Sequence, residues 1–241
     1  MEAFLKYSDF ISALPVEKKE SDPVWARYVL RPASLPLAWL LMRAGLSGNA
    51  VSLAGIVLAI VAAFALAAPA LAVALTGVLL FFLVSLGDCV DGNIARARGE
   101  MGPEGEFMDA LGGYTVYAVL PLAVGFRAES TQGLEDVPGA LMLVGSFVAV
   151  SNLYVRLVHQ KYVNTARGSR VSTPSPEQPA KESLAKRISG ELGLVGWMMP
   201  LLLIAVAFGF EWLYLAVYAL FYGLVSFAVT AKTALQVYRA E

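Results

Sequence analysis

Two carboxylates stand three residues apart inside an otherwise apolar run, in Gly87-Asp88-Cys89-Val90-Asp91-Gly92-Asn93-Ile94-Ala95-Arg96. Acids in such a run are expensive to bury and mark functional sites. Their spacing places Asp88 and Asp91 on one helical face, and Gly92 on the same side leaves room for a bulky ligand to approach the backbone. A third acid, Asp109, stands in the next apolar run. With helix ends near Arg98 and Glu104, Asp91 and Asp109 lie roughly 10 and 8 Å from those ends. A short turn then makes the two helices antiparallel neighbours, with all three acids at one depth. Three acids cannot stay ionised and dry together without cations. Carboxylate oxygens without His or Cys favour Mg2+ or Mn2+ over zinc. Cys89, the single cysteine, sits at the wrong helical angle to join the acids and is expected to pack against a helix or lipid.

The elements that must position these acids are membrane helices. Of 241 residues, 58% are apolar and 15% charged, with a mean hydropathy of +0.64. Soluble domains run nearer about 45–50% and about 25%, and a water-soluble fold of this size cannot hide so much apolar surface. A soluble globular domain, a disordered chain and a nucleic-acid binder are thereby excluded. The expected class is all-α, a polytopic membrane protein, because a backbone in lipid must satisfy its own hydrogen bonds. Six stretches are long enough to span, at about 49–68, 71–97, 105–126, 139–160, 193–209 and 212–233, each near the length of about 20 residues that a span needs. The fifth is the shortest and contains Pro200. Residues 127–138 form the third connection. Residues 161–192 form a long fourth one, with an irregular run from Thr173 to Pro179. Residues 1–22 are polar and mixed, unlike a cleaved signal, and no internal repeat is visible.

With the N-terminus in the cytoplasm and six crossings, every Lys and Arg of the 18 except Arg127 falls on the cytoplasmic side. That bias matches the positive-inside rule. Both termini and the 161–192 loop are then cytoplasmic, in a membrane expected to be the bacterial cytoplasmic membrane. Within residues 24–46, Ser34 and Pro36 read as a helix start, and Leu35, Leu37, Trp39, Leu40 and Leu41 suggest a helix lying in the interface. Residues 1–46 are expected to be a cytoplasmic segment with that helix, and 47–235 the membrane domain. Trp25, Trp39, Trp197, Trp212, Tyr214 and Tyr238 read as interface anchors.

The pattern Asp88-x2-Asp91-Gly92-x2-Ala95-Arg96-x8-Gly105-x3-Asp109 resembles the signature of the CDP-alcohol phosphotransferases. These are membrane enzymes that move a substituted phosphate from a CDP-linked donor to an alcohol. Ser47-Gly48-Asn49-Ala50-Val51-Ser52 resembles a weakened form of the family's Pro-Asn-x-x-Thr element. The resemblance implies that Asp88, Asp91 and Asp109 bind one or two divalent cations, Mg2+ or Mn2+. It implies that Gly92, Ala95 and Gly105 make space for cytidine and diphosphate, with Asn49, Ser52 and Arg96 also on the substrate. It further implies a CDP-linked lipid donor such as CDP-diacylglycerol, a small alcohol or phosphorylated alcohol as acceptor, CMP as product, and a homodimer among membrane lipids.

The family signature ends in a fourth Asp, held to be the base for the acceptor alcohol and a ligand of the second cation. Gly113 occupies that position. Glu106, one turn before Asp109, is the best substitute acid, and its other reading is an acid favoured by the helix dipole. A relative that binds metal and CDP-lipid but turns over poorly is the alternative function. A small transporter is a remoter one, since transporter sites sit near the bilayer midplane in repeated halves. Arg156 is the candidate for an acceptor phosphate. With His159, Lys161, Arg167 and Arg170 beside it, the group could bind a phosphorylated acceptor or anionic lipid headgroups, but positive-inside charge is its favoured reading, and His159 has no partners for catalysis.

Overall fold

The computed structural model describes residues 6–14, 22–168 and 184–239. Among them there is no strand. The α-helices are α1 (Tyr7–Ser12), α2 (Arg31–Arg43), entered through a π-helical turn over Ala26–Leu30, α3 (Gly48–Leu66), α4 (Leu71–Arg98), α5 (Pro103–Gln132), α6 (Ala140–Gly168), α7 (Leu184–Glu191), α8 (Met198–Phe208) and α9 (Glu211–Arg239). Five of them, α3, α4, α5, α6 and α9, are long and apolar enough to cross a bilayer. The chain is an integral membrane protein.

The expected fifth span is only partly present. α8 has 11 residues, roughly 16 Å at 1.5 Å per residue, against a hydrocarbon core of about 30 Å. The chain before it, from Leu192 to Trp197, leaves the helical path and turns into the bundle. The other spans start where the apolar runs predict, although α5, α6 and α9 run six, eight and six residues beyond their expected ends at 126, 160 and 233, so the expected 161–192 loop begins inside α6. The irregular run Thr173–Pro179, with Arg170 and Lys181, lies outside the described residues.

α3 packs along both α4 and α5, α6 joins α5 to α9, and α2 lies against α4. Gly125 and Gly145 let the α5 and α6 backbones cross closely. A Cβ on Gly145 would lie 2.5 Å from the Pro121 carbonyl and 3.0 Å from the Gly125 Cα. Small residues at such crossings give van der Waals contact where lipid removes any hydrophobic drive between helices.

α4 and α5 are not the close antiparallel pair that their short turn predicts. They scarcely touch. Leu194 stands between them, 6% exposed. Its N–H donates to the Tyr117 hydroxyl on α5 (3.1 Å), and its carbonyl accepts from Ser85 Oγ on α4 (3.2 Å). Both polar groups of this non-helical residue are thus satisfied inside the bundle, as irregular backbone at membrane depth requires. The gap on the other side of Leu194 is where the acids lie.

Arg127 is not a loop residue. It belongs to α5, is buried, and its Nε donates to Glu211 Oε1 on α9 at 2.7 Å. Its Nη1 donates to the Ala68 and Pro69 carbonyls in the α3–α4 turn, and Gln132 donates to the other Glu211 oxygen. One guanidinium therefore ties three connections together. Removing one partner of a buried pair strands the other charge, at about 3–5 kcal/mol. Glu211→Ala is expected to lower the unfolding temperature sharply. Glu211→Ala combined with Arg127→Met should recover part of the loss, and a single variant as stable as the parent would contradict the assignment.

Tyr214 is also corrected. It is 7% exposed and packs its ring, tilted by 42°, against Tyr218 at 4.6 Å between centroids, so it belongs to the core. Trp212 and Tyr238 stay exposed as anchors should.

Candidate functional site

A cavity of about 720 Å3 opens between α3, α4 and the start of α5. Asp88 and Asp91 reach it from α4, and Asp109 from α5. Asp88 and Asp109 approach each other across the gap held open by Leu194. Asp91 is the most enclosed of the three, at 9% exposure. Its Oδ2 accepts from Ser52 Oγ at 2.5 Å, and its Oδ1 accepts from the Gly92 N–H. Ser52 stands one turn into α3, a helix whose start is fixed by Ser47, whose Oγ accepts from the Ala50 N–H at 3.2 Å. The Ser47–Ser52 element thus starts α3 and sets a hydroxyl against a signature acid.

The glycines work by close approach. A Cβ on Gly48 would lie 2.9 Å from the Asp91 carbonyl, so α3 meets α4 where Asp91 stands. A Cβ on Gly92 would lie 3.1 Å from Arg96 Nη1 and 3.2 Å from Nη2. Gly92 therefore makes room for the Arg96 guanidinium to fold back along its own helix, besides any room it leaves for a ligand.

Of the residues singled out from sequence, Asn49, Ser52, Gly92, Ala95, Arg96, Gly105, Glu106 and the three acids all line this one cavity. Two do not. Gly113 lies one turn further along α5, and a Cβ there would meet nothing within 4 Å. Arg156 sits on α6, its Nε donating to Asn152 Oδ1 at 2.9 Å and its guanidinium 4.2 Å over the Tyr117 ring. Cys89 is buried against Ala26 and Leu30 as expected, and also touches the cavity wall.

Sequence reasoning missed one wall. Asp22, Ala26 and Arg31 line the cavity from the segment before α2. The Arg31 guanidinium forms a two-point pair with Asp22, at 2.9 Å from Nε and 3.2 Å from Nη2. Burial works against the Arg31 charge, but the Asp22 hydrogen bond and the charges of Asp22 and Asp88 hold its pKa above the ordinary arginine value. The segment is fastened from a distance. The Val24 N–H donates to both Glu191 carboxylate oxygens at 3.1 Å, and Trp25 meets Trp197 and Phe82. A local signal was present in Asp22-x8-Arg31, a spacing too loose to identify by itself.

Ser34 is not a helix cap. The helical path is continuous through it, and it is wholly buried. Its hydroxyl donates to the Arg31 carbonyl (3.0 Å) and accepts from Asn93 Nδ2 (2.9 Å), and Asn93 Oδ1 accepts from Arg96 Nη2 (2.7 Å). This chain of bonds pins α2 to α4.

The donor set is all carboxylate, with hydroxyl and amide oxygens beside it, and suits a hard divalent cation in kind. Among the described residues, no three acid, His or Cys side chains are drawn together tightly enough to cage an ion. Each Asp91 oxygen accepts one hydrogen bond, from Ser52 or Gly92, and keeps a further lone pair for a cation.

Comparison with curated proteins gives no match. The sequence model of CDP-alcohol phosphatidyltransferases matches residues 46–238, from the turn before α3 to the end of α9. That stretch takes in all five spans and every signature acid, so the chain belongs to the CDP-alcohol phosphatidyltransferase family.

Proposed function

We propose that the protein transfers a phosphatidyl group from CDP-diacylglycerol to a small alcohol, releasing CMP in the synthesis of a phospholipid. The observation that carries this reading is the gathering of the signature residues from α3, α4 and α5 in a single cavity. Family membership supports a membrane phosphotransferase. The lipid donor, the alcohol acceptor and the roles of individual residues are our own assignment.

In this reading Asp88, Asp91 and Asp109 hold Mg2+ or Mn2+ at one site, and Gly113 leaves a second without a ligand. A cation held by these acids would neutralise the diphosphate and stabilise departing CMP. Arg96, folded over Gly92, and the hydroxyl and amide of Ser52 and Asn49 orient the cytidine diphosphate, with Ala95 and Gly105 giving it space. The acceptor hydroxyl oxygen bonds to the phosphorus that carries the diacylglycerol. The bond from that phosphorus to the bridging oxygen breaks, and CMP leaves with the electron pair. Glu106, which lines the cavity one turn from Asp109, takes the hydroxyl proton. Arg156 receives the phosphate of a phosphorylated acceptor from the side of Tyr117. The cavity faces the cytoplasm in this reading, which the positive-inside bias of the basic residues supports, with six crossings completed by α8 and the chain before it, α2 in the interface, and two copies in the membrane.

The test is CMP release by the purified protein in vesicles containing CDP-diacylglycerol and Mg2+, offered glycerol phosphate, inositol phosphate, serine and aminoalcohols in turn. CMP formed with one acceptor, matched by a new lipid, is the expected result. Binding of CDP-lipid with no CMP from any acceptor would favour the impaired relative that Gly113 suggests.

A further inference from the structure

We propose that Arg31 is a substrate-binding residue, whose guanidinium takes phosphate oxygens of a cytidine diphosphate bound in the cavity. The inference rests on reading this cavity as the CDP-donor site.

Arg31 differs from a surface arginine in three ways. It lines the same cavity as the acids, from an element outside the signature. Its backbone carbonyl is anchored by Ser34, in the chain of bonds that also holds Arg96 through Asn93. Ser34 and Asn93 are buried at 0% and 3% exposure, so the Arg31 backbone and the Arg96 guanidinium are set by one buried network. Its side chain is preorganised as well. Asp22 occupies one edge of the guanidinium fork through Nε and Nη2. Nη1 has no hydrogen-bond partner among the described residues, and the side chain keeps 27% exposure.

A guanidinium presents five N–H donors in a fixed plane and matches phosphate oxygens at two points. With one edge taken by Asp22, the other is left for an anion. Arg31 acts electrostatically on Asp88 and Arg96 on Asp91, and the two guanidiniums also act on each other. A diphosphate lying over those acids would meet both positive groups. Asp22 balances Arg31 when no anion is present and fixes its plane, which keeps the ordering cost of binding low.

A merely structural ion pair predicts something different, and two variants separate the cases. Binding of CDP is measured by calorimetry on the whole protein in lipid nanodiscs with Mg2+. Arg31→Gln should raise Kd at least about tenfold, equivalent to 1.4 kcal/mol. Asp22→Asn keeps the guanidinium and, through its amide oxygen, an acceptor that still orients it, while freeing its charge, so it should leave Kd unchanged or lower it. An unfolding curve for each variant shows that the bundle is intact. Equal weakening by both variants would show that the pair only holds the segment in place, and an unchanged Kd in Arg31→Gln would overturn the proposal outright. A parent protein that binds no CDP would remove the reading of the cavity itself, and this inference with it.

Discussion

Gly113→Asp is expected to raise CMP release above what Glu106 alone supports, by at most the about 10²- to 10⁴-fold that a positioned general base is worth. Gly113 is four residues after Asp109 and four before Tyr117 on α5, so the three share one helical face. Asp109 faces the cavity and Tyr117 faces Leu194 in the interior. A side chain at 113 therefore lies between the acids and the core, and its Cβ meets no atom within 4 Å. A carboxylate placed there finds space, and with Asp109 it can hold a second cation and accept the acceptor's proton. The helix should tolerate the change, because Gly is the poorest helix former after Pro, roughly 1 kcal/mol below Ala. Initial rates of CMP release with a matched acceptor, beside an unfolding curve, check it. If the parent is already fast and Gly113→Asp slows it, the glycine is room for the acceptor. Glu106→Gln should then remove the activity.

Much of the site was legible because the residues that carry it are local. Asp88, Asp91 and Gly92 share one turn of α4, and helical spacing alone fixes their common face. The placement of Asn49 and Ser52 followed from a motif at the start of a span. What was not legible depends on contacts distant in sequence. The wall with Asp22 and Arg31 is held by Glu191, which lies 167 residues from Val24. Ser34 looks like a cap because Ser before Pro often is one, but its hydroxyl is claimed by Asn93 across the α2–α4 contact. The separation of α4 from α5 could not be read from their short turn, because Leu194 enters from the far end of the chain. Arg127 passed as a loop charge for the same reason, its partner Glu211 being 84 residues away.

Asp91→Ala is expected to reduce CMP release by about 10³-fold, since a lost cation forfeits several kcal/mol of charge stabilisation and each 1.36 kcal/mol is a factor of ten in rate. Asp91 is the most enclosed of the three acids and the one fastened to α3 through Ser52. Its loss removes a ligand and the tie between two walls. The competing account is that the acids merely repel one another. In that case Asp91→Ala would raise the unfolding temperature and leave CDP binding untouched. Measuring both quantities on one preparation decides between them.

The central claim is that Asp88, Asp91 and Asp109 form a cation site that receives a cytidine diphosphate. Electron paramagnetic resonance of Mn2+ added to the protein in nanodiscs tests it without relying on turnover. The account predicts that the free-ion signal is lost on binding, that CDP tightens this binding, and that Asp91→Ala abolishes it. A Mn2+ signal that stays that of the free ion with and without CDP, on protein shown to be folded, would contradict the account.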